Sequence, residues 1–346
     1  MSSHDPAAAR GDHPSYGAAV IHQHPLAYLL GLEGIALMKA FAGEYDREYT
    51  HARFAEIRDL LDRADELGDG TDVRPLVPAR GYDGWAPSYD DPENGYFTMD
   101  ESVLLPILRT IPPGVAVDAA CGTGRYAAHL AALHHQVHGF DVSPGMLSIA
   151  RAKVPRGSFA VAAMDAMPVA DASVDVIVNT LAMTHVSDLV PVFAEAARVL
   201  RPGGHLLVSD VRGYFIGSGL TPLGEEDPEG AVGYVPSWSH PTSAYLQAAL
   251  PYGFVVRACR ELAAPPAEPD EPENEPPGEP PSIWALHTWA PVAAAAVIGD
   301  RTCLVLWHFQ LDPAPQPRGT TTWPGPGTSA EGDSPVPVPC PPVTSC

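Results

Sequence analysis

The sequence predicts a doubly wound α/β protein, in which a parallel β-sheet carries helices on both faces. Short β-rich runs alternate with helical patterns between Leu104 and Asp210, and a glycine-containing turn follows the first of these runs. Strands that alternate with helices of this length form parallel sheets, because each crossover helix returns the chain to the same edge of the sheet. The alternating segments are, in order, VAVDAA, RYAAHLAALH, QVHGFDV, PGMLSIARAK, SFAVAA, VDVIVNT, LVPVFAEAARVL and HLLVSD.

Two amphipathic helices are predicted ahead of this sheet. Apolar residues recur at helical spacing from Leu26 to Phe41 and again from Phe54 to Leu67. Such a pair has to lay its apolar faces on another surface. We therefore predict a helical cap over residues 25–80 and a main domain over residues 81–311.

The pattern loosens after Asp210, then a helix (TSAYLQAAL), a strand (FVVRACRE), a helix (SIWALHTWAPVAAAAV) and a final strand (TCLVLWHFQL) follow. Three segments are too polar or too rich in proline to bury enough apolar area to offset chain entropy. We expect disorder in residues 1–24, in an acidic Pro-rich insertion at 264–282, and in a Pro-rich tail at 312–346.

Composition limits the classes of partner. The 346 residues are 45% hydrophobic, and 20 Lys and Arg stand against 42 Asp and Glu, giving a formal net charge of −22. This charge would repel nucleic acid and anionic membrane surfaces, so a small molecule is the expected partner. Five cysteines without a CxxC pair, and the lack of a signal peptide or a membrane-spanning apolar run, favour the cytoplasm.

The glycine turn, ACGTGR, follows the first predicted strand and fits two cofactors. Gly122, Gly124 and Ala127 read as the GxGxxA of a dinucleotide site, yet Asp118 supplies a carboxylate that such a site does not need. Asp141 ends the next strand, where a carboxylate can accept hydrogen bonds from both ribose hydroxyls of any adenosine cofactor. Asp141 is alternatively a helix cap, but Ser143 can fill that position. Asp165, after the third strand, can accept the exocyclic amine of an adenine.

Four segments in order and spacing, VDAACGTGR, GFDVSPGML, AAMDAMPVADASVDVIV and ARVLRPGGHLLVSD, resemble the motifs of class I S-adenosylmethionine-dependent methyltransferases, in the branch of ubiquinone/menaquinone and other small-molecule methyltransferases. The segment YDGWAPSYD resembles the aromatic and acidic stretch that precedes the core in that branch. The resemblance is strong from about Gly81 to Asp210. It implies a Rossmann-like seven-stranded sheet with an antiparallel last strand, S-adenosyl-L-methionine as cofactor, and a small-molecule methyl acceptor.

The resemblance also implies the cofactor-binding residues. Asp118 and the loop of Ala120, Cys121, Gly122, Thr123 and Gly124 would hold the methionine part; Asp141 would bind the ribose, with Val142 beside it and Met146 packed nearby; Asp165 and Ala166 would bind the adenine; Asn179 would line the floor; and Tyr89 would cover the methionine end.

Ala120 is a departure from the family, which has glycine there. Alanine is a small change if its φ stays below zero, so we expect cofactor binding to survive. Asp118 favours the methyl donor over a dinucleotide, because a carboxylate attracts an ammonium and a sulfonium but repels a pyrophosphate.

Two histidines, His185 and His240, are candidate general bases, needed only if the acceptor has to lose a proton. Each has an ordinary alternative as a hydrogen-bonded residue at a helix start. Aromatic residues that could line an acceptor pocket are Trp85, Tyr214, Tyr234 and Trp238, with core packing as the alternative. His134, His135 and His138 lack the spacing of metal ligands, and we predict no metal.

Two other functions compete with methyl transfer. An NAD(P)-dependent oxidoreductase is supported by the GxGxxA spacing and opposed by Asp118. A non-catalytic S-adenosylmethionine-binding protein, with the Pro-rich tail as a ligand for partner proteins, is the second alternative.

Overall fold

The computed structural model describes residues 20–90, 96–212, 220–226, 232–263, 286–298 and 302–313. Most of the predicted disorder, at 1–19, 264–282 and 314–346, falls outside these ranges. The helices are α1 (Pro25–Phe41), α2 (Arg47–Asp62), α3 (Pro78–Trp85), α4 (Tyr96–Leu108), α5 (Arg125–Ala132), α6 (Pro144–Lys153), α7 (Val190–Val199), α8 (Thr242–Ala249) and α9 (Pro291–Ile298). The strands are β1 (Ile21–Gln23), β2 (Thr71–Pro75), β3 (Val115–Ala119), β4 (Gln136–Asp141), β5 (Ser158–Val161), β6 (Val174–Thr180), β7 (Leu200–Val211), β8 (Leu220–Glu226), β9 (Val232–Pro236), β10 (Phe254–Ala263) and β11 (Thr302–Leu311).

The central sheet has seven strands in the order β10-β11-β7-β6-β3-β4-β5. Strands β3 to β7 pair in parallel, whereas β11 is antiparallel to both β7 and β10. The predicted doubly wound sheet with an antiparallel last strand is confirmed. The chain moves from β3 to β4 on one side and later continues from β6 on the other side of β3. Strand order therefore reverses between β3 and β6, which is where ligands bind in open α/β sheets.

Apolar side chains cover both faces of this sheet. On one face, Phe193 of α7 and Tyr245 of α8 pack with Trp307 of β11. On the other face, Leu104 of α4 and Leu130 of α5 pack over the parallel strands. Burial on both faces is why the parallel strands read as nearly continuous apolar runs.

The cap combines two helices from the N-terminal part of the described chain with one helix from its C-terminal part. Helices α1 and α2 pack against α9, and the Lys39 ammonium donates to the carbonyl of Ala296 at 2.8 Å. The buried positions of α2 are Arg53 and Leu60. Phe54 and Leu61, which we expected on the apolar face, are 41% and 51% exposed. Leu60 and Leu67 are buried as predicted, whereas Arg53 takes the buried place expected of Phe54.

Two boundaries differ from the predictions. Residues 20–24 were expected to be disordered, but β1 pairs with β2, and His24 caps α1 by accepting from the N–H of Leu26. The last helix was expected from Ser282, but α9 begins at Pro291, because proline suits the first turn of a helix and breaks an interior one. A single 3-10 turn, Leu286–Trp289, precedes it.

A second, four-stranded sheet has the order β1-β2-β9-β8. It joins the cap to the segment that follows β7, because β2 pairs in parallel with β9. In the part of the chain that the structure describes, no helix is long and apolar enough to cross a bilayer.

Candidate functional site

The turn between β3 and α5 has an unusual backbone. Ala120, Gly122 and Gly124 have positive φ values of 59°, 52° and 81°. The N–H of Gly124 donates to the carbonyl of Cys121 at 2.8 Å, which closes the turn. A Cβ on Gly124 would lie 3.0 Å from the Cβ of Ala150, so this glycine permits the close approach of α5 and α6.

Ala120 corrects our expectation. Its replacement of glycine was to be a small change provided that φ stayed below zero, but φ is +59°. An L-residue in the left-handed region costs about 1–2 kcal/mol, because its Cβ approaches the following carbonyl oxygen. The loop therefore keeps a geometry suited to glycine while carrying a strained alanine.

Asp118 is the last residue but one of β3 and contacts the first turn of α5. Its side chain is 1% exposed, and Oδ2 accepts a hydrogen bond from the N–H of Ala127 at 2.7 Å. Gly124, the N-cap residue of α5, has no side chain to satisfy the N–H groups of the first turn, so Asp118 does this from the strand. Burial raises the pKa of Asp118 to about 7, although the hydrogen bond from Ala127 opposes the shift.

Asp141 ends β4 and binds the backbone of two loops. Oδ2 accepts from the N–H of Gly122 at 2.8 Å, and Oδ1 accepts from the N–H of Ser143 at 2.9 Å. Ser143 caps α6 by accepting from the N–H of Met146, as expected. Asp141 does not fill that cap position, but each of its carboxylate oxygens has a backbone partner. Burial raises the pKa of Asp141 against these hydrogen bonds.

Asn179 lies at the end of β6, next to β3. Its Nδ2 donates to the carbonyl of Ala119 at 2.8 Å and lies 3.5 Å from the Sδ of Met164. The side chain is 1% exposed, and its Oδ1 is a buried acceptor without a hydrogen-bond donor in the structure. Since buried polar atoms are nearly always bonded, this oxygen indicates a place for a donor from a ligand.

The other residues predicted to bind the cofactor differ in how far their side chains are exposed to solvent. Met146 and Thr123 are each 1% exposed and Cys121 is 6% exposed, whereas Val142 is half-buried. Asp165 and Ala166 are exposed beyond β5. The structure thus places Asp118, Asp141 and Asn179 on three adjacent strands, and Asp165 and Ala166 at the outer side of that edge.

The segment Tyr82–Asp90 supplies an aromatic group over this edge. The rings of Trp85 and Tyr89 lie 5.0 Å apart, and Tyr89 lies 6.0 Å from Tyr82 and 5.6 Å from Phe97. A Cβ on Gly122 would lie 3.8 Å from the Cε1 of Tyr89, so Tyr89 lies against the loop. Burial raises the pKa of Tyr89 to about 12, which keeps its phenol protonated.

Two carboxylates fasten this aromatic segment to the loops below it. Asp83 accepts from the N–H of Gly145 at 2.7 Å and from the hydroxyl of Ser143 at 2.5 Å. Asp90 accepts from the hydroxyl of Thr123 at 2.6 Å and from the ammonium of Lys153 at 2.7 Å. Our sequence analysis missed Asp83 and Asp90 individually. Their signal was the repeated Tyr-Asp pair at the two ends of YDGWAPSYD.

Both ring nitrogens of His185 have hydrogen-bond partners. Nδ1 lies 3.1 Å from the carbonyl oxygen of Pro236, and Nε2 lies 2.6 Å from the hydroxyl of Tyr82. A carbonyl only accepts, so the proton is on Nδ1, and the Tyr82 hydroxyl donates to Nε2. Burial lowers the pKa of His185, so the ring is neutral at neutral pH.

His240 has a structural environment. Its Nε2 lies 2.9 Å from the carbonyl of Val186 and 3.2 Å from that of Met183, so this nitrogen donates to backbone. Among the pocket candidates, Trp85 lies in the aromatic group, Trp238 is bound through its N–H to the carbonyl of Thr184, and Tyr234 is buried in β9. Tyr214 lies outside the described residues.

Histidine and carboxylate groups in the described ranges do not form a set of three or more that could hold a metal ion. Of the three neighbouring histidines, His135 accepts from the N–H of Gly114 through Nδ1 at 3.2 Å, and His138 lies 3.4 Å from Gln136. His134 has a positive φ of 65° at the end of α5.

Comparison with known families gives one match. A family model described as a methyltransferase domain matches residues 117–208, from β3 to β7. This range contains the left-handed loop, Asp118, Asp141 and Asn179.

Curated relatives match between 28% and 40% of the chain. They include malonyl-[acyl-carrier protein] O-methyltransferase of Yersinia pestis, 37% identical over 95 residues, which are 28% of this chain and 36% of the relative. A probable S-adenosylmethionine-dependent methyltransferase of Mycolicibacterium smegmatis is 34% identical over 117 residues, 34% of this chain and 46% of the relative. Demethylmenaquinone methyltransferase of Renibacterium salmoninarum is 29% identical over 144 residues, 40% of this chain and 60% of the relative. The chain therefore spans less than two thirds of the length of these relatives.

Proposed function

We propose that this chain, whose residues 117–208 form a class I S-adenosylmethionine-dependent methyltransferase domain, moves the methyl group of S-adenosyl-L-methionine to a small-molecule acceptor by in-line displacement. The family match covers 92 residues, from 117 to 208 inclusive. The proposal extends the methyltransferase function from these residues to the whole protein.

The carboxylate of Asp118, beside the first turn of α5, is the observation that favours S-adenosylmethionine over a dinucleotide. A pyrophosphate in a dinucleotide site binds the free N–H groups at the N-terminus of the helix after the first strand. In this structure the N–H of Ala127 already donates to Asp118, and the carboxylate adds negative charge beside any phosphate. A ligand that carries an ammonium and a sulfonium meets favourable charge at the same place.

The residues present also fit the parts of this cofactor. The Oδ1 of Asn179 is a buried acceptor in need of a donor, as an ammonium or a hydroxyl would supply. Asp141 accepts one backbone hydrogen bond on each oxygen, and each carboxylate oxygen can accept a second one from a ribose hydroxyl. Gly122 adds no side chain between the loop and Tyr89.

S-adenosylmethionine supplies an electrophilic methyl group on a positively charged sulfur. The protein then has to bring the lone pair of the acceptor into line with the S–CH3 bond and to exclude water. The aromatic segment suits this task, because Asp83 and Asp90 hold its two ends on the loops after β4 and β3. Its rings form an apolar cover over the reacting atoms.

We propose a small molecule as the methyl acceptor and name no particular compound. The matching relatives are named for two different acceptors, a malonyl-[acyl-carrier protein] and demethylmenaquinone, so they do not single out one. We place the reaction in the cytoplasm, because Cys121, Cys259 and Cys303 are free thiols and no CxxC pair is present.

The proposal is tested by incubating the full chain with S-adenosylmethionine labelled in its methyl group and the small-molecule fraction of a cell extract. We expect label in a small organic product and stoichiometric S-adenosylhomocysteine. Asp141→Ala should lose this transfer, whereas Asp171→Ala, which removes an exposed carboxylate paired with Arg198, should keep it. Label that stays on the donor in every fraction, or that moves only to macromolecules, would contradict the proposal.

A further inference from the structure

The side chains of Tyr82 and His185 are hydrogen-bonded to each other, although 103 positions separate them in the chain. In the sheet, β3 lies between β6 and β4. His185 follows β6, and Asp83, next to Tyr82, is bound to Ser143 after β4. The pair therefore bridges the two strands that flank β3 and spans the loop 120–124.

The hydrogen bonds give this pair a direction. The Pro236 carbonyl holds the proton of His185 on Nδ1, so the lone pair of Nε2 receives the Tyr82 hydroxyl at 2.6 Å. With its own proton donated to Nε2, the Tyr82 oxygen is left as an acceptor for a further hydrogen bond. Only a group with a hydrogen to donate completes this arrangement.

The surroundings keep both members in these states. Burial is the main cause that raises the pKa of Tyr82 well above its ordinary value, and the nearby acidic groups raise it further. Tyr82 therefore stays a phenol and is not itself the base. Burial lowers the pKa of His185, so the imidazole is free to take a proton. The titratable groups that face the pair from the packed elements are Tyr89, Asp141, Asp210 and, behind the 3-10 turn of His185, His240.

We propose that Tyr82 and His185 form a proton relay for methyl transfer to the oxygen of a neutral hydroxyl acceptor, an inference that rests on the proposed function. The acceptor O–H gives its proton to the Tyr82 oxygen while the Tyr82 proton moves to Nε2 of His185. The acceptor oxygen forms its bond to the methyl carbon as the S–CH3 bond breaks, and the sulfur keeps the electron pair. The imidazolium of His185 then returns its proton to water. Tyr82 is the catalytic residue, and His185 is the positioning residue behind it.

Charge and chemistry favour a hydroxyl over other acceptors. An amine or a soft carbon nucleophile can attack through an available electron pair, whereas a neutral hydroxyl needs its proton removed as the new bond forms. An anionic acceptor would bring a negative charge near Asp118, Asp141 and Asp210, and it would offer the Tyr82 oxygen no hydrogen. The relay therefore selects a neutral acceptor that donates a hydrogen bond.

The test uses the full chain with S-adenosylmethionine carrying a 13C-labelled methyl group and the small-molecule extract, followed by NMR of the products. We expect the label in O-methyl groups. Tyr82→Phe and His185→Gln should lower turnover at least about 100-fold, a typical contribution of general acid–base catalysis, with S-adenosylhomocysteine affinity changed less than about threefold. Tyr45→Phe, which removes a phenol in the cap, should turn over like the wild type.

The pH profile separates a relay from a structural contact. Wild-type turnover should fall as the pH drops through the pKa of His185, below the ordinary value of 6.5, and Tyr82→Phe should lose this dependence. If Tyr82→Phe does not fold, 15N NMR of His185 in the wild type decides, with the Nδ1–H tautomer expected. Label in N-methyl or C-methyl products, wild-type turnover in both variants, or the Nε2–H tautomer would overturn the relay. Retained S-adenosylhomocysteine binding would then leave the proposed function standing.

Discussion

Asp118 at the end of β3 accepts a hydrogen bond from the backbone N–H of Ala127 in α5 at 2.7 Å. The contact ties the strand to the helix across the left-handed loop and satisfies an N–H group that Gly124, as N-cap residue, leaves open. The same carboxylate therefore shapes the loop and sets its charge. From the sequence, Asp118 was expected only to bind the cofactor. Its contact with Ala127 joins two different elements, and such a contact leaves no pattern in the local sequence.

Asp118→Ala should destabilise the fold by about 2 kcal/mol, because a buried N–H loses its acceptor. Asp118→Asn keeps an acceptor oxygen and should cost less. The pKa of Asp118 is raised from 3.8 to about 7 in the folded protein, so the folded state binds more protons between these pH values. The free energy of unfolding contributed by this group is present in full below pH 3.8 and is lost as the pH rises through 7.

Urea unfolding of the wild type and of Asp118→Asn across this pH range checks the sign. The wild type should lose stability relative to the asparagine variant as the pH rises from about 4 to 7. A difference between the two proteins that stays constant with pH would show that Asp118 titrates alike in the folded and unfolded states.

Ala120→Gly should stabilise the loop slightly. Relief of the left-handed strain is worth about 1–2 kcal/mol, and the extra freedom of glycine in the unfolded chain offsets about 0.4–1 kcal/mol of it. Ala119→Gly, one position earlier in β3, is the matched control, and it should destabilise because a strand residue gains freedom and loses burial. Thermal unfolding of both variants tests this, and an equal loss of stability in both would mean that Ala120 carries no strain.

Asp141→Ala should weaken the binding of S-adenosylhomocysteine by about 2 kcal/mol, or about 30-fold in Kd, through the loss of two hydrogen bonds to the ribose. Calorimetric titration measures the change, with Asp171→Ala as the surface control. Since Asp141 also binds Gly122 and Ser143, the unfolding midpoint is measured on the same samples. Unchanged affinity in a folded variant would place the ribose elsewhere.

The cap contains a buried ion pair between Glu33 and Arg53, 0% and 4% exposed and 2.8 Å apart. Glu33→Leu should destabilise the protein by about 3 kcal/mol, because Arg53 stays buried and loses its buried carboxylate, keeping the partly exposed Glu56. The double variant Glu33→Leu/Arg53→Leu should recover most of that loss, since neither charge remains. Urea unfolding that shows equal stability for the single and double variants would contradict a coupled pair.

The sequence was sufficient for the parallel sheet and the helices between its strands, because each depends on local apolar periodicity. The antiparallel last strand was implied only by the resemblance to methyltransferases. The resemblance to methyltransferases agrees with the methyltransferase-domain family model, which matches residues 117–208. Periodicity was less reliable in the cap, where Phe54 and Leu61 fit a helical stripe but lie exposed. There the buried face of α2 is the one that packs on α1, where Arg53 pairs with Glu33.

Contacts between distant positions account for what the sequence did not predict in the site. The pairing of Tyr82 with His185 and of Asp83 with Ser143 depends on strand order, which periodicity does not reveal. The positive φ of Ala120 depends on the turn being held from both sides by Asp118 and Asp141, which override the preference of alanine. Strain in such loops is borne by the surrounding contacts.

Calorimetric titration of the full chain with S-adenosylhomocysteine and, separately, with NADH tests the central claim most directly. The account predicts saturable one-to-one binding of S-adenosylhomocysteine and no measurable heat with NADH, because the Asp118 carboxylate attracts the ammonium of S-adenosylhomocysteine and repels the pyrophosphate of NADH. Tight binding of NADH with none of S-adenosylhomocysteine would contradict it.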